Sequence, residues 1–255
     1  DITSKTLSYC WTDNVNFNLF NKYIMNDWTL IIQAKNEKEC LPMVIEQIKN
    51  FDFKINVTLK KNDLETIESI KNNHNVNIFY QSGNGYGNAL KEAIISCQTK
   101  YFCIFNADGS FNPKDLKEMY DLMESNDFVY TTRYENPGGS DDDTYVTYLG
   151  NQIFSKLGSF FFSLSLSDIL YTYIMGKTES FKKLNITSND FRFCVELPIK
   201  MQISKMKYKC IPSYENKRIA GRKKVKAFKD GLLILIEMVK LFLIFKLFRK
   251  KIISK

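Results

Sequence analysis

Residues 101–113 read YFCIFNADGSFNP. Five consecutive apolar or aromatic residues, Tyr101 to Phe105, are the pattern of a strand buried on both faces. They stop at Asn106-Ala107-Asp108-Gly109-Ser110, a polar turn with one carboxylate, and Pro113 then opens a helix to about Met123. The same unit recurs on either side. Trp28 to Ala34 (WTLIIQA) reads as a first buried strand, followed by a helix from about Lys38 to Lys49. Lys54 to Leu59 is a second strand, before a helix over Asp63 to Lys71 with Asp63 as its N-cap. Val76 to Tyr80 is a third, before a helix over Asn88 to Ser96 that glycines introduce, and Asp127 to Thr132 is a fifth.

Strand–helix units of this length predict an α/β fold with a mainly parallel sheet and helices on both faces. Ligands of such sheets bind beyond the carboxyl ends of the strands. The loops at 34–38, 81–88 and 106–112 are therefore expected to line one crevice. At that crevice Asp108 can hold a divalent cation against a diphosphate, with Asn106 and Ser110 adding neutral oxygens. Taken alone, an aspartate in a turn is more often a turn former. Gly85 and Gly87 allow backbone N–H groups to approach an anion, although a tight turn explains them equally well.

The 255 residues suffice for one large α/β domain, with 44% hydrophobic and 25% charged residues. The formal charge of +8 favours an anionic partner. Lys217, Arg218, Arg222, Lys223, Lys224, Lys226 and Lys229 crowd one stretch, and Arg249, Lys250, Lys251 and Lys255 close the chain. Six cysteines without a CxxC pair read as buried free thiols in a reducing compartment. A single histidine, His74, argues against a histidine-based zinc site and a Ser-His-Asp triad. Residues 1–27 show no apolar core with a cleavage site, so no secretory signal is expected there.

Tyr134 to Thr144 (YENPGGSDDDT) is polar and acidic and reads as a mobile loop, followed by an aromatic helix from about Tyr145 to Ser163. From Asp230 to Phe248 the helical period gathers Lys229, Asp230, Glu237 and Lys240 on one stripe and leaves the rest apolar. Such a segment is too interrupted for a membrane span and suits an interfacial helix with a basic end, the alternative being a C-terminal helix packed on the domain or in an oligomer interface. The expected organisation is an N-terminal extension at 1–27, an α/β domain at 28–228 and an amphipathic basic helix at 229–255.

The order and spacing of these pieces resemble glycosyltransferase family 2, in the branch of dolichyl-phosphate mannosyltransferases and polyprenyl-phosphate glycosyltransferases. Gln33-Ala34-Lys35-Asn36-Glu37 stands where that branch has Pro-x-x-Asn-Glu, and Gly85 to Ala89 matches its Gly-x-Gly-x-Ala helix start. Asn106-Ala107-Asp108 with Pro113 matches its Asp-x-Asp metal motif, and Thr132-Arg133-Tyr134 its Ser-Arg-Tyr strand end before a glycine-bearing acceptor loop. Ser167-Asp168, the Phe-x-x-Glu of Phe193 to Glu196, and Arg218 to Lys224 complete the pattern. Three positions depart from it. Lys60-Lys61-Asn62-Asp63 replaces the acidic pair that contacts the nucleotide base, Asn106 replaces the first metal-motif aspartate, and Lys223 replaces a serine.

The resemblance implies a GT-A fold, Rossmann-like, with a C-terminal amphipathic helix. It implies an inverting transfer of a sugar from a nucleoside diphosphate to a polyprenyl phosphate, with Mg²⁺ or Mn²⁺. Donor-binding residues would be Ala34, Asn36, Glu37, Gly85, Gly87, Asn106, Ala107 and Asp108, and the metal would sit at Asp108, Asn106 and Ser110. Arg133, Tyr134, Gly138 and Gly139 would meet the acceptor, and Asp108, Arg133, Asp168, Arg218 and Lys224 would carry catalysis. A phosphate acceptor needs no strong base; a hydroxyl acceptor needs one, and Asp168 or Glu196 would supply it. The protein is expected at the cytoplasmic face of a membrane, as a peripheral enzyme with no nucleic-acid partner. A nucleotidyltransferase would show a basic Gly-rich signature after the first strand, which Gln33 to Glu37 is not. Nucleic-acid binding would interleave basic and aromatic residues, whereas here the basic cluster precedes an apolar helix. A noncatalytic scaffold is the reading that Lys60, Lys61 and Asn106 motivate.

Overall fold

The computed structural model describes residues 27–51, 53–221 and 225–253, with side chains described as far as residue 246. The expected extension up to Asn26, the basic residues Arg222 and Lys223, and the catalytic candidate Lys224 lie outside the described residues. In chain order the elements are β1 (Trp28–Gln33), α1 (Leu41–Ile48), β2 (Lys54–Leu59), α2 (Leu64–Ile70), β3 (Val76–Tyr80), α3 (Tyr86–Ser96), β4 (Tyr101–Asn106) and α4 (Asp115–Leu122). There follow β5 (Phe128–Thr132), β6 (Gly139–Ser140), α5 (Tyr145–Phe162), β7 (Ile174–Lys177), α6 (Thr178–Lys183), α7 (Phe193–Ile203), β8 (Tyr208–Pro212), β9 (Tyr214–Glu215) and α8 (Ala227–Ile253).

The main sheet has the order β3-β2-β1-β4-β7-β5-β8, parallel throughout except that β7 runs against both its neighbours. Its register places the site. Gln33 at the end of β1 pairs with Asn106 at the end of β4 and with Thr58 near the end of β2. The turns after these three strands therefore leave the sheet side by side, as expected from the parallel arrangement.

Alternate residues of the central strands feed two cores, since side chains of a strand point to opposite faces. Leu30, Ile32, Cys103 and Phe105 join α1 and α4 on one face. Ile31, Phe102 and Ile104 join α3, α6 and α7 on the other, where α5 and α8 also pack. Each fully buried side chain of this size contributes roughly 1.5–3 kcal/mol relative to exposure. Cys40, Cys97, Cys103 and Cys194 are buried free thiols, as the sequence implies.

Two regions differ from expectation. The acidic loop after β5 is tethered: β6 pairs in parallel with β9, and Asp141, Asp142 and Asp143 each have a side-chain partner elsewhere. In α8 the buried side carries Ile234, Met238 and Leu241 together with Glu237, which pairs with Lys240 at 2.9 Å and Arg192 at 3.9 Å. Glu237, one of the two acidic members of the expected polar stripe, is thus turned inward. Much of the apolar remainder faces out: Phe228 is 90% exposed, Val239 52% and Leu243 54%. Among the described residues no helix is long and apolar enough to cross a membrane.

Candidate active site

The turn after β1 is held by the turn after β2. Asn36 adopts a left-handed φ of 52°, which asparagine tolerates better than most residues. Its N–H donates to Asp63 Oδ2 at 2.7 Å, and the Glu37 N–H donates to Thr66 Oγ1 at 3.0 Å. Asp63 is therefore a tie between the two turns and makes no side-chain cap to α2. Ala34 continues the sheet, its N–H donating to the Thr58 carbonyl at 2.9 Å.

After β4 the chain turns on Asp108. Its Oδ1 accepts from the Ser110 N–H at 3.1 Å, and its carbonyl accepts from the Ile219 N–H at 2.9 Å. Asn106 spans the turn: its amide donates to Ser110 Oγ and its Oδ1 accepts from the Phe111 N–H at 3.3 Å. The Ala107 side chain points into the core. The segment before α8 thereby brings Arg218 over Asp108, with Nη1 3.4 Å from Oδ2. The same guanidinium donates to Asp142 from Nη2 at 3.0 Å and from Nε at 3.3 Å. Burial acts against the Arg218 charge, but the Asp142 hydrogen bonds and the charges of Asp108, Asp142 and Glu37 hold its pKa above the ordinary value.

Arg133 is also committed. Its Nε and Nη2 donate to Asp168 at 2.7 and 3.0 Å, and its Nη1 donates to Glu215 at 2.9 Å. It lies over the Tyr171 ring at 4.5 Å. Burial disfavours this charge too; the charge and hydrogen bonds of Asp168, followed by Glu215, raise its pKa well above normal. An acceptor phosphate would have to compete with these bonds. Beside it, the Tyr134 hydroxyl donates to Asp143 at 2.6 Å and accepts from Asn151 at 3.0 Å.

The glycines serve packing. A Cβ on Gly85, whose φ is +105°, would lie 2.1 Å from the Asn189 carbonyl oxygen, and one on Gly87 would lie 2.7 Å from that of Ser188. The first turn of α3 is pressed against the 188–190 backbone, and the Asn88 N–H already donates to Asn189 at 3.0 Å. Gly138 and Gly139 fit likewise against the Glu135 carbonyl and the Tyr214 ring, and neither lines the cavities described next.

Two cavities meet here. A polar cleft of about 1050 Å³ lies over the ends of β1 and β2, lined by Ala34, Asn36, Lys60, Lys61, Gly85 and, from α8, Lys229. An apolar cavity of about 700 Å³ runs between α5 and α8, with Leu149, Ile153, Phe154, Phe228, Leu232 and Leu235 in its walls. Its polar end holds four carboxylates (Asp108, Asp142, Asp143, Glu215) against two guanidiniums (Arg133, Arg218). Asp142, Asp143 and Glu215 escaped the sequence reading. The sole hint was an acidic run opposite a basic one.

That acid excess fits an added cation. Among the described residues no group of three or more His, Cys, Asp or Glu side chains forms a ready metal cage. Asp108 offers one carboxylate, while Asn106 and Ser110 use polar atoms on each other. The residues fit a divalent ion held jointly by Asp108 and by phosphate oxygens that a ligand brings.

Glu196 stands apart. Its carboxylate is fully buried and accepts from Thr187 N and Oγ1 (2.9 Å each) and Ser188 N (2.7 Å), with Lys200 Nζ also at 2.7 Å. Burial pushes its pKa up; the bonds from Lys200, Ser188 and Thr187 outweigh that and bring it from 4.5 to about 2. It anchors the 187–188 segment and is saturated as a base. Because the folded value is depressed, its stabilisation is complete above about pH 4.5 and is lost as pH falls toward about 2, on the order of 3 kcal/mol in all. The stability gap between wild type and Glu196→Gln in urea should therefore narrow from about pH 5 to about pH 2.5. A constant gap would count against this assignment.

A family model described as Glycosyl transferase family 2 matches residues 29–184. Glycosyltransferase AglJ of Haloferax volcanii is 25% identical over 214 residues, 82% of this chain and 70% of the relative. A similar fold occurs in glucosyl-3-phosphoglycerate synthase from Mycobacterium tuberculosis, solved with Mn²⁺, uridine diphosphate and phosphoglyceric acid (TM-score 0.63, 12% identity, 85% of this chain and 78% of that one). Mannosyl-3-phosphoglycerate synthase from Rubrobacter xylanophilus is another (TM-score 0.63, 14% identity, 84% and 73%). At such identities these two structures speak for the fold alone, and the fold is the GT-A arrangement expected.

Proposed function

This chain belongs to glycosyltransferase family 2, and from that premise we propose that it moves a sugar from a nucleoside diphosphate to a polyprenyl (dolichyl-like) phosphate at a membrane surface. The observation that carries the acceptor half is the apolar cavity between α5 and α8, whose polar end is Asp108 and Arg218. An isoprenoid chain fits such walls, and its phosphate would lie at the charged end. The nucleoside would occupy the polar cleft beside Asn36, Glu37 and Gly85. The structural relative that binds uridine diphosphate with Mn²⁺ supports a diphosphate donor in this fold.

In this reading Asp108, with the donor diphosphate, holds Mg²⁺ or Mn²⁺, which supplies positive charge at the leaving group. Asn106 and Ser110 shape the Asp108 turn. An acceptor phosphate oxygen forms the new bond to the anomeric carbon from the face opposite the departing diphosphate, which leaves with the bonding pair. The acceptor is already an anion, so no proton need be removed. Arg218 and Lys224 stabilise the charge that develops on the diphosphate. Arg133, fixed by Asp168 and Glu215, presents a permanent positive charge beside Tyr134 at the acceptor end, and the tethered loop at Gly138 and Gly139 backs it.

The carboxylate excess favours a second reading, transfer to a hydroxyl. Asp168 and Glu196 are then poor bases, since both are occupied by cations or N–H groups. Asp142 is held by Arg218 in the same way, so Asp143, which faces the cavity and accepts from the Tyr134 hydroxyl, would take the proton.

The exposed apolar sides of α5 and α8, bordered by Lys229, Lys240 and Lys246, support peripheral binding at a cytoplasmic membrane face. Val239→Glu with Leu243→Glu should weaken binding to vesicles containing anionic lipid by about tenfold or more. Transfer to a vesicle-borne acceptor should fall with it, while a nucleoside diphosphate with Mn²⁺ still raises the melting temperature. Undiminished vesicle binding by that variant would contradict the membrane reading.

A further inference from the structure

Tyr86 and Phe191 are the two described residues common to the linings of the polar cleft and the apolar cavity. Their rings stack, with centroids 5.0 Å apart and planes 21° from parallel. Phe193 meets Tyr86 edge-on at 6.4 Å, and the Tyr86 hydroxyl is hydrogen-bonded to Thr172 Oγ1 at 2.6 Å. The two residues come from the first turn of α3 and the segment before α7. They meet because Gly85 and Gly87 admit the 188–190 backbone against α3. Next to Phe191, Arg192 donates to Asp190 at 2.8 and 2.9 Å and reaches Glu237 of α8 at 3.9 Å. A wall one ring pair thick, braced on both sides, thus divides a hydrophilic space from a hydrophobic one.

We propose that the Tyr86–Phe191 stack is the partition of the active site, a pair of positioning residues that keeps the apolar chain of the acceptor out of the donor cleft. The inference rests on the reading of the cleft as the donor site and the cavity as the acceptor site. A flexible hydrocarbon chain fills any apolar space open to it, because burial of its surface is favourable and non-directional. Without the wall the two spaces join, and the chain of one substrate displaces the nucleoside of the other. With it, both bind at once. The donor must then pass the edge of Tyr86 to bring its diphosphate to Asp108, which fixes the line along which the sugar is presented.

The test is calorimetric titration of the full chain with UDP, GDP, CDP and ADP, each with Mn²⁺, in the absence and presence of farnesol. Farnesol is an uncharged isoprenoid, so it has no phosphate to compete at Asp108. In wild type the Kd of the bound nucleotide should change by less than about twofold on adding farnesol. In Phe191→Ala it should weaken by at least about fivefold, whereas Tyr86→Phe, which keeps the ring, should behave as wild type. Should Phe191→Ala fail to melt cooperatively, Phe191→Leu takes its place, with the same coupling in smaller amount. Independent binding in the folded Phe191 variant, or competition in wild type, would overturn the partition. Wild-type protein that binds no nucleotide, or no farnesol, would instead overturn the assignment of the two spaces and the proposal with it.

Discussion

Asp108→Ala is expected to lower sugar transfer by about a thousandfold or more, the scale on which enzymes lose electrostatic stabilisation of a developing charge. The carboxylate lies at the polar end of the apolar cavity, under Arg218 and beside a turn that leaves few alternatives. Asn106 cannot replace it, since a neutral amide brings no charge to a cation. The fold should survive. The substitution removes one hydrogen bond, from the Ser110 N–H, worth about 1 kcal/mol, and a partly exposed ion pair to Arg218, which keeps Asp142 as a partner. Asp108→Asn separates the two effects: it can keep the turn but not the charge. Initial rates and melting temperatures of both variants are the deciding measurements. Near-normal turnover in either would remove Asp108 from the centre of the site.

The largest stability effect is expected at Asp168. Replacing it by alanine leaves the Arg133 guanidinium buried with Glu215 as its remaining ion-pair partner. Breaking one side of a buried, hydrogen-bonded pair costs about 3–5 kcal/mol, because the surviving charge has lost its compensation. Removing all three charges, as in Arg133→Met with Asp168→Leu and Glu215→Gln, should recover a large part of that loss, because no buried charge then remains unpaired. Urea midpoints at constant slope provide the measurement. A triple variant no more stable than Asp168→Ala would show that the cluster contributes through something other than charge balance.

These two acids also show what could be read from the chain and what could not. The bounds of β2 and β3 follow directly from KINVTL and VNIFY, and β1 and β4 end one residue from their expected limits. Buried parallel strands are continuous apolar runs, and such runs are a local signal. Asp108 was legible for the same reason: it follows a run whose end could be located. Helix starts were less so. α1 begins at Leu41 and α3 at Tyr86, both away from expectation, because the first turn is fixed by tertiary contacts such as the Asn189 carbonyl on α3.

The antiparallel β7 was illegible, since IMGK carries no mark of direction. Nor could the charge pairs be seen. Asp142 meets Arg218 across 76 residues and Glu215 meets Arg133 across 82, and no local pattern encodes either. Asp63 stands at the N-cap of α2 as expected, but its carboxylate makes no capping bond and holds the Asn36 turn instead, which no local pattern showed. The amphipathicity of α8 was legible, but not which side faces the protein. Glu237 is buried because Arg192 and Lys240 accompany it, and the outward apolar face follows from that choice.

In the proposed reaction one site joins a nucleotide sugar to a lipid phosphate. Its most direct test incubates the purified chain and Mn²⁺ with radiolabelled UDP- and GDP-sugars and a polyprenyl phosphate in vesicles, followed by organic extraction. Label is expected in the organic phase from one donor, dependent on the lipid phosphate and absent with Asp108→Ala. Label that stays wholly in the aqueous phase with every donor, from folded protein that binds nucleotide, would contradict it.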